Sequence, residues 1–328
     1  MFGEPGRKTP ERIAFFLVPD FSMIAFSSAV EPLRIANRMA GRKLYAWRIV
    51  SKDGKPVRAS CGVAVIADAR ITPFANGARL PFSSVLVCSG IGAEHYEDRE
   101  VFSWLRSIAR KGVDIGAICT GSHILARAGL LAGYRCTIHW ENLSGFAEAF
   151  PDVDVAAHLF AIDRNRFTCS GGTAGLDMML HLISQQHGEE LAAKVSEQCL
   201  LDQIRRSHSS QRMPLNVRLG GHHPKLIATI GMMEANLEEP LSPEELAAHV
   251  GLSRRQLERL FRKHLGRSPA QYYLELRLER ARHLLYQTNM AVLDVALASG
   301  FVSASHFSKC YRQMYGKTPR AERIAAIA

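Results

Sequence analysis

Hydrophobic positions follow two rhythms along this chain, and the place where one gives way to the other divides it. Up to about residue 204, short unbroken apolar runs alternate with stretches of helical spacing; from residue 225 onward only helical spacing remains. Arg12 to Pro19 reads RIAFFLVP, an apolar run bounded by charge and proline, and predicts a strand buried on both faces. A helix is expected from about Phe26 to Met39, with Pro32 either opening its regular part or kinking it. Further strands are read at Tyr45 to Ser51, around Gly62 to Ile66, at Ser84 to Cys88 and at Val113 to Ile118, with helices at Asp98 to Lys111 and Ser122 to Leu130. Arg135 to His139 reads as another strand, Glu141 to Phe150 as a helix, and Leu159 to Thr168 as a hairpin across Asp163-Arg164-Asn165. Helices at Gly171 to His187 and Glu189 to Ile204 finish this part. Strands alternating with helices imply an α/β doubly wound, mostly parallel sheet over residues 10–204. Residues 205–224 lose periodicity and read as a linker. Residues 225–328 read as a separate all-α domain.

That second domain is one unit written twice. Ala247, Gly251, Leu252, Ser253, Leu257, Phe261, Arg262, Gly266 and Pro269 are matched by Ala296, Gly300, Phe301, Ser303, Phe307, Tyr311, Arg312, Gly316 and Pro319. The offset is 49 residues up to the glycine and 50 from the serine onward, so Val302 is an extra residue in the second turn. Each copy has the grammar of a helix-turn-helix: a short helix closed by glycine, a tight turn, a serine N-cap, and a second helix with apolar residues four apart. Two helical hairpins that merely pack would share this pattern. The charge decides between the two readings.

The chain of 328 residues carries a net charge of +10, and nine of those ten excess positive charges fall in residues 205–328. A basic second half beside a near-neutral first half is expected if only the second meets nucleic-acid phosphate. The length suits two domains, each able to bury a core. No run of eighteen apolar residues occurs, and Met1 to Glu11 has no apolar core, so neither a signal peptide nor an anchor is read there and a cytoplasmic protein is expected. Seven scattered cysteines without C-x-x-C spacing suggest neither a disulfide framework nor a metal site.

One cysteine has a special setting. The strand ending at Ile118 turns at once through Cys119-Thr120-Gly121 into a helix, the geometry of a nucleophile elbow. The N-terminus of that helix is expected to favour the Cys119 thiolate, and the C-terminal ends of parallel strands are where small ligands bind.

Ala117-Ile118-Cys119-Thr120-Gly121 with Thr137-Ile138-His139-Trp140 downstream resembles the PfpI protease and isocyanide hydratase superfamily, with its class I glutamine-amidotransferase-like fold. The resemblance implies an elbow cysteine acting as nucleophile or redox sensor, a histidine near it, and a loop glycine pair shaping an anion pocket. The matching positions are Cys119, His139, and Gly90 with Gly92. It also implies an acid soon after the first strand, hydrogen-bonded to the cysteine; the matching position is Ala25. Loss of that carboxylate removes a proton acceptor from the chemistry. A degenerate, non-catalytic elbow that binds ligand through Cys119, Thr120, His139, Trp140, Gly90 and Gly92 is therefore expected, without a cofactor or metal. Trp140 reads as core ahead of a ligand-binding aromatic, although its aromatic face could hold a cationic or quaternary ammonium ligand.

Residues from about Lys225 to Arg323 resemble the AraC/XylS family of regulators, and the whole chain resembles the GlxA-type branch that joins such a module to a PfpI-like domain. The run Gln211-Arg212-Met213-Pro214-Leu215 with Pro224-Lys225-Leu226 resembles the regulators of arginine, glycine betaine or carnitine use. The resemblance implies two recognition helices entering successive major grooves on one side of double-stranded DNA, about 34 Å apart. On the first helix the buried stripe is read as Leu257, Leu260 and Phe261, which leaves Arg255 and Arg259 for base edges and Arg254, Arg262 and Lys263 for phosphates. On the second, Phe307, Cys310, Tyr311 and Met314 are read as buried, with Ser305, His306, Lys309 and Arg312 facing DNA. The expected function is a transcription regulator, in kind an activator, whose first domain senses a small metabolite, with RNA polymerase and a second copy of the chain as partners. The alternative is a PfpI-like cysteine hydrolase or hydratase with an attached DNA-binding domain.

Overall fold

The unbroken apolar run near the start of the chain becomes an interior strand of a sheet covered on both sides. In the computed structural model, which describes residues 9–74, 80–221 and 223–327, the elements of the first unit are β1 (Glu11–Leu17), α1 (Met23–Met39), β2 (Tyr45–Ser51), β3 (Val57–Arg58), β4 (Ala64–Val65), β5 (Ala69–Arg70), β6 (Ser84–Cys88), α2 (Arg99–Arg110) and β7 (Asp114–Ile118). They continue with α3 (Gly121–Arg127), β8 (Arg135–Cys136), α4 (Leu143–Ala149), β9 (Asp154–Val155), β10 (Phe160–Asp163), β11 (Arg166–Cys169), α5 (Ala174–His187) and α6 (Glu189–Gln198). Most of Met1 to Glu11, read above as neither leader nor anchor, lies outside the described residues.

The sheet order is β10-β11-β7-β6-β1-β2-β5, and every pairing is parallel except that of β10 with β11. Alternation along β1 sends Ile13, Phe15 and Leu17 into a core shared with α1, α5 and α6, and Ala14, Phe16 and Val18 into a second core shared with α2, α3 and α4. Pro32 lies inside α1, which runs unbroken around it.

Three expectations differ from what is seen. The segment around Gly62 to Ile66 is a two-residue arm, β4, paired with β3 outside the main sheet. Of Arg135 to His139 only β8 is strand, and it pairs with β9. The helix expected to reach Ile204 stops at Gln198; Leu200 takes φ +54°, and Arg205 is drawn to the buried Asp177 of α5. A local apolar pattern cannot register that distant carboxylate.

The chain separates into compact units at Gln211 and Arg212. Within the expected linker, residues 205–211 are bound into the first unit. The second unit holds α7 (Leu215–Arg218), α8 (Pro224–Ala235), α9 (Pro243–His249), α10 (Arg254–Leu265), α11 (Pro269–Gln287), α12 (Val292–Ala298), α13 (Ala304–Tyr315) and α14 (Pro319–Ile327). Helix α11 links two small cores: Tyr273 packs with Leu226, Ile230, Leu246, Leu257 and Phe261, whereas Leu278, Ala281, Leu284 and Leu285 pack with Val295, Phe301, Phe307 and Tyr311.

Candidate functional site

The two reading helices are built alike from their caps upward. Ser253 accepts from the Gln256 amide while the Gln256 side chain returns to the Ser253 amide, a complete capping box at the start of α10. Ser303 accepts from the His306 amide at the start of α13. Both helices end at a left-handed glycine, Gly266 and Gly316. In each turn a basic side chain from the preceding long helix caps the glycine carbonyl: Lys225 Nζ donates to Gly251 at 3.0 Å, and Arg277 donates to Gly300 at 2.6 Å and to Ser299 at 2.9 Å. The extra residue Val302 is 97% exposed, so the insertion has left the packed positions in register.

With Leu257 and Phe261 buried on α10, Arg255, Arg259, Arg262 and Lys263 are left exposed, and Leu260 is half-buried. Arg254 differs from them: it is bound to Glu244 of α9 at 2.7 Å and to Glu258 at 3.3 Å, so its charge is already matched within the protein. On α13, Phe307 and Tyr311 are buried and Ser305, His306, Lys309 and Arg312 are exposed. His306 Nε2 lies 3.3 Å from Cys310 Sγ, which is half-buried. Met314, expected inside, is exposed. The inward position goes to Tyr315, whose ring centroid is 4.7 Å from that of Tyr311, and the 100° step of the helix turns Met314 outward. Arg282 lies over the Tyr315 ring at 4.8 Å.

In the first unit, Cys119 sits where β7 ends, with φ +61°, a left-handed backbone that costs a non-glycine residue on the order of 1–3 kcal/mol. Its amide donates to the Cys169 carbonyl of β11, and the Thr120 hydroxyl donates to the Gly90 carbonyl at 2.5 Å, so the elbow is tied to the ends of both neighbouring strands. Close packing accounts for two glycines here. A Cβ on Gly90 would stand 2.2 Å from the Asp20 carbonyl oxygen, and one on Gly171 would stand 2.8 Å from Cys119 Sγ. The Ile91 amide, between Gly90 and Gly92, is already given to the Asp20 carbonyl. Gly92 opens a short turn at Ala93–His95.

The expected thiolate is not supported by this environment. Burial pushes the Cys119 thiol up to about 11 and outweighs the hydrogen bonds from Thr120, while the charge of Glu141 raises it further. Helix α3, which follows the elbow, spans only seven residues. His139 lies 3.8 Å from Glu141 through Nδ1, with its ring tilted on Trp140 at 5.6 Å. His123, four residues past the elbow, is buried against Phe146 and Phe150, and burial lowers its pKa to about 3.

Sequence reasoning missed Gly171, Glu141, His123 and Gln211. A strand ending in Cys169-Ser170 before a glycine pair was a usable signal for Gly171; the others needed the tertiary structure. The Gln211 amide donates to Thr137 Oγ1 and the Ile138 carbonyl, both at 3.0 Å, and to the His158 carbonyl at 2.8 Å, which fastens the end of the first unit to the segment leading into His139. Among the described residues no cluster of three or more potential metal ligands occurs, and no helix is long and apolar enough to cross a membrane.

Comparison with known proteins agrees with both halves. Residues 246–324 match the helix-turn-helix domain family and residues 11–185 the DJ-1/PfpI family. The chain is 52% identical to the HTH-type transcriptional regulator GbdR of Pseudomonas aeruginosa over 97% of its own length and 86% of the relative's. It is 46% identical to the HTH-type transcriptional regulator CdhR of the same species, over 94% of this chain and 90% of that one. Among solved structures, an AraC family transcriptional regulator from Pseudomonas putida matches 58% of this chain and 100% of its own at 26% identity, with a TM-score of 0.51.

Proposed function

The chain belongs to the HTH-type transcriptional regulators that join a DJ-1/PfpI domain to a C-terminal helix-turn-helix domain, and we propose that its first domain senses a small metabolite and thereby alters how α10 and α13 engage a promoter. The observation that carries this reading is the exposed basic row on α10, set beside an elbow whose thiol is buried and protonated at neutral pH. Arg255 and Arg259 read base edges; Arg262, Lys263 and Arg312 bind phosphate; Ser305, His306 and Lys309 face the groove with less bidentate capacity. Arg254 can join them only by giving up Glu244 and Glu258.

The effector, a small amino acid or quaternary amine, sits at the elbow among Cys119, Thr120, His139, Trp140 and the Gly90–Gly92 loop. Glu141, beside His139 and within electrostatic reach of Cys119, favours a cationic group on it. Ala25 stands where the related enzymes place an acid, so the elbow holds ligand without turning it over. The regulator works as a cytoplasmic homodimer and activates by bringing RNA polymerase to the promoter.

Two measurements test this. A thermal-shift screen of small nitrogen compounds on the full chain should yield at least one that raises the melting temperature and changes operator affinity, by mass action on the folded state. At pH 8, iodoacetamide should modify exposed Cys61 far faster than Cys119, whose labelling should accelerate only as pH approaches about 11. Rapid labelling of Cys119 would overturn the buried, protonated thiol, and turnover of amides or isocyanides that is lost in Cys119→Ala would establish the hydrolase or hydratase alternative instead.

A further inference from the structure

A cavity of about 520 Å³ lies in the first unit between β10, α5, α6 and the strap that follows α6. Phe160, Leu180, Ala192, Ala193 and Ile204 give it an apolar lining. The polar residues lining it are His181, Ser184, Arg205, Arg206, Ser207 and His208, with a single acid, Glu189. Two adjacent arginines line it in different states. Arg205 donates to Asp177 at 2.6 Å and to Thr173 at 2.6 Å, so its charge is matched. Arg206 makes no ion pair among the described residues, and it is exposed. A guanidinium without an acid, in a cavity lined by two hydroxyl side chains, two imidazoles and an apolar surface, matches a carboxylate carried on a hydrocarbon body. Glu189 works against multiply charged anions.

We propose that this cavity is a second ligand site of the sensor domain, distinct from the elbow, and that it takes a small monocarboxylate with an apolar body, its carboxylate on Arg206. The location gives the site a consequence. One wall is the strap itself, held by Arg205 on Asp177, by the Leu159 amide on the Ser207 carbonyl, and by Gln211 on Thr137, Ile138 and His158. The strap leads directly to the unit boundary at Arg212. A ligand held by Arg206 therefore stabilises the strap in its docked form, and that effect on DNA binding rests on the sensing role proposed above; the binding itself does not.

The test uses the full chain and phenylacetate as the probe, followed by titration calorimetry. Saturable binding of phenylacetate is expected, with phenylacetamide and phenethylamine at least about tenfold weaker, the scale of one charge-assisted contact. Arg206→Gln should weaken phenylacetate at least about tenfold, and Ala193→Trp, at an exposed position lining the cavity, should abolish binding by filling it. Cys119→Ala and Trp140→Ala should leave it unchanged. Absence of saturable binding, equal affinity for the amide, indifference to both cavity variants, or loss in the elbow variants would overturn the site. A shift in sedimentation with Ala193→Trp, in place of lost binding, would likewise overturn it and mark the groove as a contact between copies. Operator affinity is measured separately, so failure of the sensing role and failure of this site give different results.

Discussion

The two helix-turn-helix copies share a grammar and differ in what surrounds it. Gly251 and Gly300 occupy the same place and both have positive φ, +61° and +74°. Around Gly251 a Cβ would find only Lys225 Nζ at 3.7 Å; around Gly300 it would meet the Leu237 carbonyl oxygen at 2.5 Å and Pro240 at 2.7 Å. The second turn is thus wedged against the loop between α8 and α9, and Arg277 both caps it and lies over the Phe301 ring at 4.2 Å. The reading faces differ in the opposite sense. Helix α10 presents Arg254, Arg255, Arg259 and Arg262, whereas α13 presents Ser305, His306, Lys309 and one arginine, Arg312, with the His306 ring held between Cys310 and Phe301. Duplication supplied one scaffold; the first copy specialised in its surface and the second in its packing.

The largest effect expected from this contrast is on DNA. Each bidentate arginine–guanine contact carries about 1 to 3 kcal/mol of discrimination. Arg255→Ala with Arg259→Ala should therefore weaken the preferred operator at least about thirtyfold, with much less loss on unrelated DNA. Ser305→Ala with Lys309→Ala should cost less than about tenfold. Equal losses in an anisotropy titration would break the comparison.

Stability should show the reverse order. Gly300→Ala adds a steric clash to the left-handed penalty and should cost about 2 to 5 kcal/mol in urea unfolding of the second unit's transition. Gly251→Ala meets only the backbone penalty and should cost about 1 to 2 kcal/mol. Comparable values would mean that the loop beside Gly300 yields readily.

Arg262 and Arg312 are repeat equivalents and should behave alike. Replacing either with alanine should reduce the slope of log affinity against log salt by about 1. A normal slope in one variant would remove that residue from the phosphate contacts. Smallest are the caps: Ser253→Ala and Ser303→Ala should each cost about 1 kcal/mol, because each takes the side-chain acceptor from one backbone amide of the first turn, that of Gln256 or of His306.

The elements were legible wherever the signal lies within a few residues along the chain. The buried run of β1, the serine caps, the closing glycines and the elbow turn at Cys119 are all local, and so is the repeat that pairs Leu257 with Phe307 and Phe261 with Tyr311. Met314 shows the limit: helical spacing offers it and Tyr315 nearly equal claims, and only the Tyr311 ring together with Arg282 on α11 settles which turns inward.

What the sequence determined by itself was therefore the inventory: two domains, a mostly parallel sheet carrying an elbow, and a doubled reader bearing most of the excess charge. The tertiary structure decided the states of those parts. It buried Cys119 and set its thiol up to about 11, matched Arg254 while leaving Arg255 and Arg259 exposed, ended α6 early to bring Arg205 to Asp177, and made Gly300 intolerant where Gly251 has room. The physical reason is range. Helix propensity, capping and turn geometry depend on neighbours about four residues away, whereas protonation, ion pairing and steric room depend on groups that only folding brings together.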